Sequence, residues 1–406
     1  MSCRRRFSVP VWLLLALPIF AGCGDTTPYI HPRYRVAAMP AAADVDYRLF
    51  LIGDAGDVED RNLHGLHALQ AEIRRAPIRT AVVFLGDLIY ERGYPADGSA
   101  EERARAKRRL QHELDAAVGA EAILVPGNHD WADGKEAGWR NVRELGRVVE
   151  EYAAASGERA RLLPAGGCPG PVDVRLGRKV DLIALDTQWW LHQHAKPHVE
   201  NNPTGCAPIT EAEVMVRLRD LMVSARQAGR SVVIASHHPL RSRGPHGGFF
   251  DWTAHLFPMT MWSRWMWIPV PGLGSAVVYW RANHSWIHQD LSNPTYIHMK
   301  EAFEAALRDA SMEGLTPLVF ASGHEHNHQV MRDPRTKMVH VVSGVGTAYH
   351  AMGVSHDDTT LYSHSEADRA GFVELRFLNN DRVHLTVHEI EPGGEKTEAM
   401  YSEWLK

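Results

Sequence analysis

Short apolar runs, each closed by small and polar residues, recur along the chain at intervals that leave room for a helix. Residues 47–52, 80–85 and 122–125 are such runs, and 180–185, 231–235 and 318–321 repeat them. Residues 61–75, 101–118, 210–228 and 296–311 space their apolar side chains as a helix does. Strands alternating with helices predict an α/β sheet. Residues 338–342, 372–377 and 383–387 read as strands without helices between them, which suggests a sandwich. These elements define one large domain over residues 46–392. The polar, Pro- and Ala-rich stretch 23–45 reads as a tether, and 393–406 as a C-terminal tail.

Composition narrows the class. The 406 residues are 45% hydrophobic and 23% charged, enough apolar side chain to exclude a disordered chain. A net charge of −5 with no long basic block argues against nucleic acid as a partner, beyond a nucleotide as substrate. Histidine is abundant at 24 copies, several of them clustered, which points to metal or proton chemistry.

The first 22 residues read as an address. Arg4, Arg5 and Arg6 form a positive start, residues 9–20 a short apolar stretch broken by Pro10 and Pro18, and small residues then lead to Cys23. No run reaches the roughly 18 apolar residues of a membrane span. The pattern resembles a bacterial lipoprotein signal, in which cleavage after Gly22 leaves Cys23 lipidated. An ordinary signal peptide cut nearby is the alternative. Arg4-Arg5-Arg6-Phe7 also resembles a twin-arginine signal, so both export routes stay open. The expected location is a bacterial membrane, at the periplasmic face of the outer membrane or the cell surface. Losing three arginines and no acid takes the net charge from −5 to −8. In an oxidising compartment Cys168 and Cys206, both in Gly/Pro-rich stretches, read as a disulfide.

The polar clusters follow strands. Asp54, Asp87, Asn128, His237 and His324 each stand just past an apolar run. Carboxyl ends of strands in open α/β sheets converge on one crevice, so five such loops can surround one point with carboxylate, amide and imidazole donors. Singly, each Gly-Asp is an ordinary turn or cap. Their shared position after strands is the signal.

The motifs Gly53-Asp54-Ala55-Gly56, Gly86-Asp87-Leu88-Ile89-Tyr90, Gly127-Asn128-His129-Asp130, Ala235-Ser236-His237-His238-Pro239 and Gly323-His324-Glu325-His326 resemble those of the calcineurin-like metallophosphoesterases. The wider superfamily has a histidine two residues after the first aspartate. Here Gly56 stands there and Tyr90 replaces the missing ligand, as in purple acid phosphatases. The resemblance implies a four-layer α/β/β/α sandwich with two metal ions at the carboxyl ends of its strands. Asp54, Asp87, Tyr90 and His326 would hold Fe(III). Asp87, Asn128, His237 and His324 would hold Fe(II), Zn(II) or Mn(II). The implied reaction is hydrolysis of phosphate esters, most simply monoesters, in the manner of an acid phosphatase. A phosphodiesterase acting on nucleotides or lipid headgroups, and a non-catalytic metal-binding lipoprotein, are the alternatives. His129 resembles the family's general acid, with Asp130 either orienting it or capping a helix. His246 matches a second histidine facing substrate. His238, His328 and His350 read as supporting or surface residues.

Residues 249–290 depart from the compact pattern, with six of the 12 tryptophans and several prolines and glycines. The segment reads as an insertion with its own small core, a substrate lid, or an aromatic surface on lipid headgroups.

Overall fold

The computed structural model describes residues 27–406 apart from 35, 58–62, 251, 262–265, 348–351, 367–368, 392–393 and 395. The signal segment, Cys23, His350, Trp262 and Trp265 lie outside the described residues.

Two mixed sheets face each other. Numbered in chain order, the seven-stranded sheet runs β15 (Thr397–Trp404), β14 (Val383–Ile390), β13 (Gly371–Leu378), β2 (Val45–Ile52), β3 (Thr80–Phe84), β4 (Glu121–Leu124) and β5 (Ala160–Leu162). The eight-stranded sheet runs β1 (Tyr29–Ile30), β12 (Thr360–His364), β10 (His328–Arg332), β11 (Val339–Ser343), β9 (Val319–Ser322), β8 (Ser231–Ala235), β7 (Val180–Ala184) and β6 (Val172–Leu176). Strands β2 to β5 are parallel to one another, as are β7, β8, β9 and β11.

Helices cover the outer faces, so the central strands are buried on both sides and read as unbroken apolar runs. On β2, Leu49 and Leu51 enter the core between the sheets with Val83, Val233, Val341 and Leu385. Phe50 and Ile52 point the other way, into the layer packed by α1 (His64–Arg74), α2 (Ala100–Ala116) and α3 (Gly138–Ser156). Ile234 and Phe320 meet α5 (Glu211–Gln227) and α8 (Pro294–Met312) on the opposite outer face. The helix starts carry their signals. Ser99 with Glu102 and Thr210 with Glu213 form capping boxes, and Asn293 caps α8 ahead of Pro294.

Three features differ from the sequence reading. The C-terminal tail is strand β15, because Tyr401 is buried and stacks on Tyr362 with ring centroids 5.4 Å apart. The tether is partly ordered: Tyr29 and Ile30 pair with β12, and the Ala37 N–H donates to the Ser402 carbonyl. Helix α3 had no counterpart in the reading, although Trp139, Val142, Leu145, Val148 and Val149 repeat at helical spacing and are buried.

Candidate metal centre

The parallel strands of both sheets point their carboxyl ends at one place. The Gly53 N–H donates to the Ser343 carbonyl at 2.7 Å, joining the two sheets there. Asp54, Asp87 and His324 follow β2, β3 and β9 with φ of 57°, 56° and 71°. That left-handed turn is uncommon for residues with a Cβ and is held here by its surroundings. Glycine is required beside them where backbones nearly touch. A Cβ on Gly127 would lie 2.2 Å from Asp87 Oδ1, and one on Gly56 would lie 2.2 Å from the Leu88 carbonyl carbon. No side chain can project from position 56 without moving that backbone.

Tyr90 converges on the carboxylates of Asp54 and Asp87. Its hydroxyl is 3.1 Å from Asp54 Oδ1, Asp87 Oδ2 and His326 Nε2 alike. Burial, then the carboxylates of Asp54 and Asp87, hold the phenol well above its usual range. On the other side of Asp87, Asn128 Oδ1 lies 2.9 Å from His237 Nε2 and 3.2 Å from His324 Nδ1. Asp87 Oδ2 is 3.5 Å from His237 Nε2, so this carboxylate stands between the two groups.

The donor chemistry fits a pair of cations. His237 Nδ1 donates to the Leu85 carbonyl and His324 Nε2 to the Gln289 carbonyl. A carbonyl can only accept, so wherever one of these rings is neutral it turns the lone pair of its other nitrogen toward Asn128 Oδ1. Burial, then the neighbouring His246, His238 and His237, push the His324 pKa well below its usual value and keep that ring neutral. Lone pairs converging on an amide oxygen repel unless a cation sits among them. The Asp54, Asp87, Tyr90 and His326 group offers two carboxylates, a phenol and an imidazole, a harder donor set.

A family model described as calcineurin-like phosphoesterase matches residues 47–258. The chain belongs to that family. It is accordingly a metal-dependent hydrolase with the family's two-sheet α/β fold, and its grouped Asp and His side chains suggest a dimetal site. A search of curated proteins finds no match. Among solved structures, the phosphoesterase is similar to GAP50, the anchor in the inner membrane complex of Plasmodium. That likeness has 14% identity, 88% coverage of each chain and a TM-score of 0.54, so it concerns the fold. A dimetal phosphatase from Danio rerio aligns with 15% identity over 89% of this chain and 99% of its own, at a TM-score of 0.47.

Around the donors of this phosphoesterase stand the other residues singled out in the sequence. His129 Nδ1 pairs with the Glu91 carbonyl at 2.5 Å, and its Nε2 lies 3.9 Å from Asp87 Oδ2 at a partly open edge. Burial pulls the His129 pKa down, but Asp87 and the Glu91 carbonyl outweigh it and raise it. Asp130 does not orient His129. It is fully buried and accepts from the N–H groups of Gly127 and Leu88, locking the β3 and β4 loops together. His246 packs against His324 in a tilted arrangement with ring centroids 4.3 Å apart. His238 is tied at both nitrogens, to Thr187 Oγ1 and Gln289 Oε1, and His328 is buried in β10 against Gly371.

Sequence reasoning missed Gln289 and Asp290. Asp290 is buried and binds His246 Nδ1, Arg281 and Ser285 Oγ, while Gln289 holds His324 and His238. Both end the Trp-rich segment, and neither has a motif. Glu325 is a third: it receives Ser242 Oγ and the Gly247 N–H, fixing the loop that carries His246. Cys168 and Cys206 form a disulfide across a separation of 38 residues.

Proposed function

We propose that the chain is an exported, lipid-anchored phosphomonoesterase of the purple acid phosphatase kind. In this reading Asp54, Asp87, Tyr90 and His326 hold Fe(III), and Asp87, Asn128, His237 and His324 hold Fe(II), Zn(II) or Mn(II). Cys23 carries the lipid. The observation that carries the reading is the Tyr90 hydroxyl at 3.1 Å from two carboxylates and one imidazole. Such ions, when bound, ease deprotonation of water and neutralise phosphate charge. The protein's own groups do the rest. His129 Nε2 carries the proton that the leaving oxygen needs, with its ring fixed by the Glu91 carbonyl. His246, fixed by Asp290, donates to a phosphate oxygen across from His129.

The test is metal analysis and a visible spectrum on freshly isolated active protein, with rates on a chromogenic phosphate monoester and the matching diester. A tyrosine-to-iron band that disappears in Tyr90→Phe, with faster monoester hydrolysis, is expected. Active protein holding only zinc or manganese would remove the iron assignment. A faster diester would replace the monoesterase reading, and inactivity on both would leave the metal-binding lipoprotein.

A further inference from the structure

The Trp-rich segment forms α6 (Trp252–Leu256), a 3-10 turn (Pro258–Met261) and α7 (Leu273–His284). Several of its described large side chains are exposed. Trp252, Trp267, Ile268, Leu273, Trp280 and Trp286 are each 51–61% exposed. Elsewhere Trp131, Trp139, Trp189 and Trp190 are buried and Trp404 is half-buried, so exposure among the described tryptophans belongs to this segment. Its aromatic rings touch mainly one another, Phe257 on Trp267 at 5.2 Å and Trp280 on Trp286 at 6.1 Å. Clustered exposed apolar area of this kind marks a surface that meets something.

Two observations identify the occupant. The first is charge. Residues 252–289 contain no Asp or Glu, in a chain with 49 acids and a net charge of −5. An acid-free patch bearing histidine and tryptophan on an acidic protein suits an anionic, amphipathic layer, because Trp rings settle at the level of lipid headgroups. The second is where the chain enters. Tyr29, near the first described residue, stacks on His356 at 3.7 Å. Its neighbour Asp357 pairs with Arg243, and the Arg243 guanidinium lies over the Phe249 ring at 4.8 Å. The described chain therefore begins beside the start of the Trp-rich segment. Six residues from Cys23 to Tyr29 reach at most about 20 Å, so a lipid at Cys23 would hold this face close to its bilayer.

We propose that the exposed aromatic face of residues 252–286 docks on the interface of a lipid bilayer and turns the mouth of the metal site toward it. The same segment supplies Gln289 and Asp290, which hold His324 and His246, so the docked face is tied to the site by hydrogen bonds. Docking of this face does not depend on which ester the site hydrolyses.

All described elements lie within 27–406, so a chain begun at Gly24 keeps both sheets and isolates the face from the anchor. That chain is floated with vesicles of phosphatidylethanolamine and phosphatidylglycerol at 3:1, beside a Trp267→Ser, Trp280→Ser, Trp286→Ser variant. Circular dichroism and metal content report the fold of both. The parent chain is expected to float, and the variant to partition at least about tenfold more weakly with its fold unchanged. Flotation of neither chain, or of both equally, overturns the proposal. So does a parent that dimerises without vesicles through this face and then fails to float, which would make a second copy the occupant.

Discussion

Asp87 and Trp267 belong to neighbouring parts of one molecule and meet water in opposite ways: Asp87 is 2% exposed and Trp267 is 58% exposed. The carboxylate sits at the end of a parallel strand, where glycines let three backbones close around it. Its oxygens face the His129 N–H, Tyr90, His237 and the edge of His129. The indole sits on a segment of short helices and prolines that touches the body at few points. A site made from strand ends inherits the rigidity of the sheets, so polar groups can be buried together at the cost of strained turns. A segment laid over the rim is free to turn apolar side chains outward. Asp290 is the tie between the two regimes.

The harshest break of this contrast is at its rigid pole. Asp87→Asn removes the carboxylate shared by both donor groups, and both metals should leave together. Turnover should fall by at least about 10³-fold for every substrate, checked by metal analysis and rates on the same sample. Retention of one full equivalent of metal would show that Asp87 does not bridge.

At the open edge of the same site the loss should depend on substrate. His129→Asn is expected to slow esters of alkyl alcohols by about 10²-fold and esters of acidic phenols far less, since only the former need a proton on leaving. Equal losses across a leaving-group series would assign His129 to binding phosphate instead.

How much of this was legible in the chain follows the same division. Asp54, Asp87, Asn128, His237 and His324 could be picked out because strand ends are local, whereas Tyr90 and His326 came only with the family resemblance. A short apolar run followed by Gly and a donor encodes both the turn and the group it aims. The place of the donors in space came from sheet topology, which the family resemblance supplied and periodicity alone did not. Asp290 and Gln289 were invisible, since their partners lie in distant loops and nothing beside them repeats. Asp130 was misjudged for a similar reason: sequence adjacency suggested His129, while its carboxylate turns back onto Gly127 and across to Leu88. Tyr401 shows the limit for edge strands. The polar residues around it resemble a tail until Tyr362 is there to receive it. Helix α3, by contrast, was readable from its apolar spacing.

Covalent and ionic ties should matter next. Replacing Cys168 and Cys206 together by Ser opens a 38-residue loop and should cost about 3–4 kcal/mol in denaturant unfolding, with the metal donors untouched. Asp290→Asn should cost less, about 2 kcal/mol. Burial alone would raise the Asp290 pKa, yet hydrogen bonds from Arg281 and His246 hold it down at about 2. Because the folded value is depressed, this stabilisation is complete above the ordinary carboxylate range and is lost as pH falls from about 4 through 2. The parent should therefore lose stability across that window, and the variant should show a flatter acid limb. Parallel acid limbs would remove Asp290 from its role as the tie.

The smallest effect is expected at the exposed pole, and it is the sharpest test of the contrast. Trp252→Ala deletes a large side chain that is 53% exposed, at the start of α6. Little area leaves a packed environment, so the change in unfolding free energy should stay within about 0.5 kcal/mol. A tryptophan of the same volume at 131 is fully buried and its Nε1 donates to Asp186 Oδ2 at 2.9 Å; there truncation leaves a cavity and costs about 3–5 kcal/mol. Urea unfolding of the two variants measures both quantities directly. A loss at Trp252 approaching that at Trp131 would mean the segment is held as core, and its outward aromatic face would then be a consequence of packing rather than a surface kept for contact.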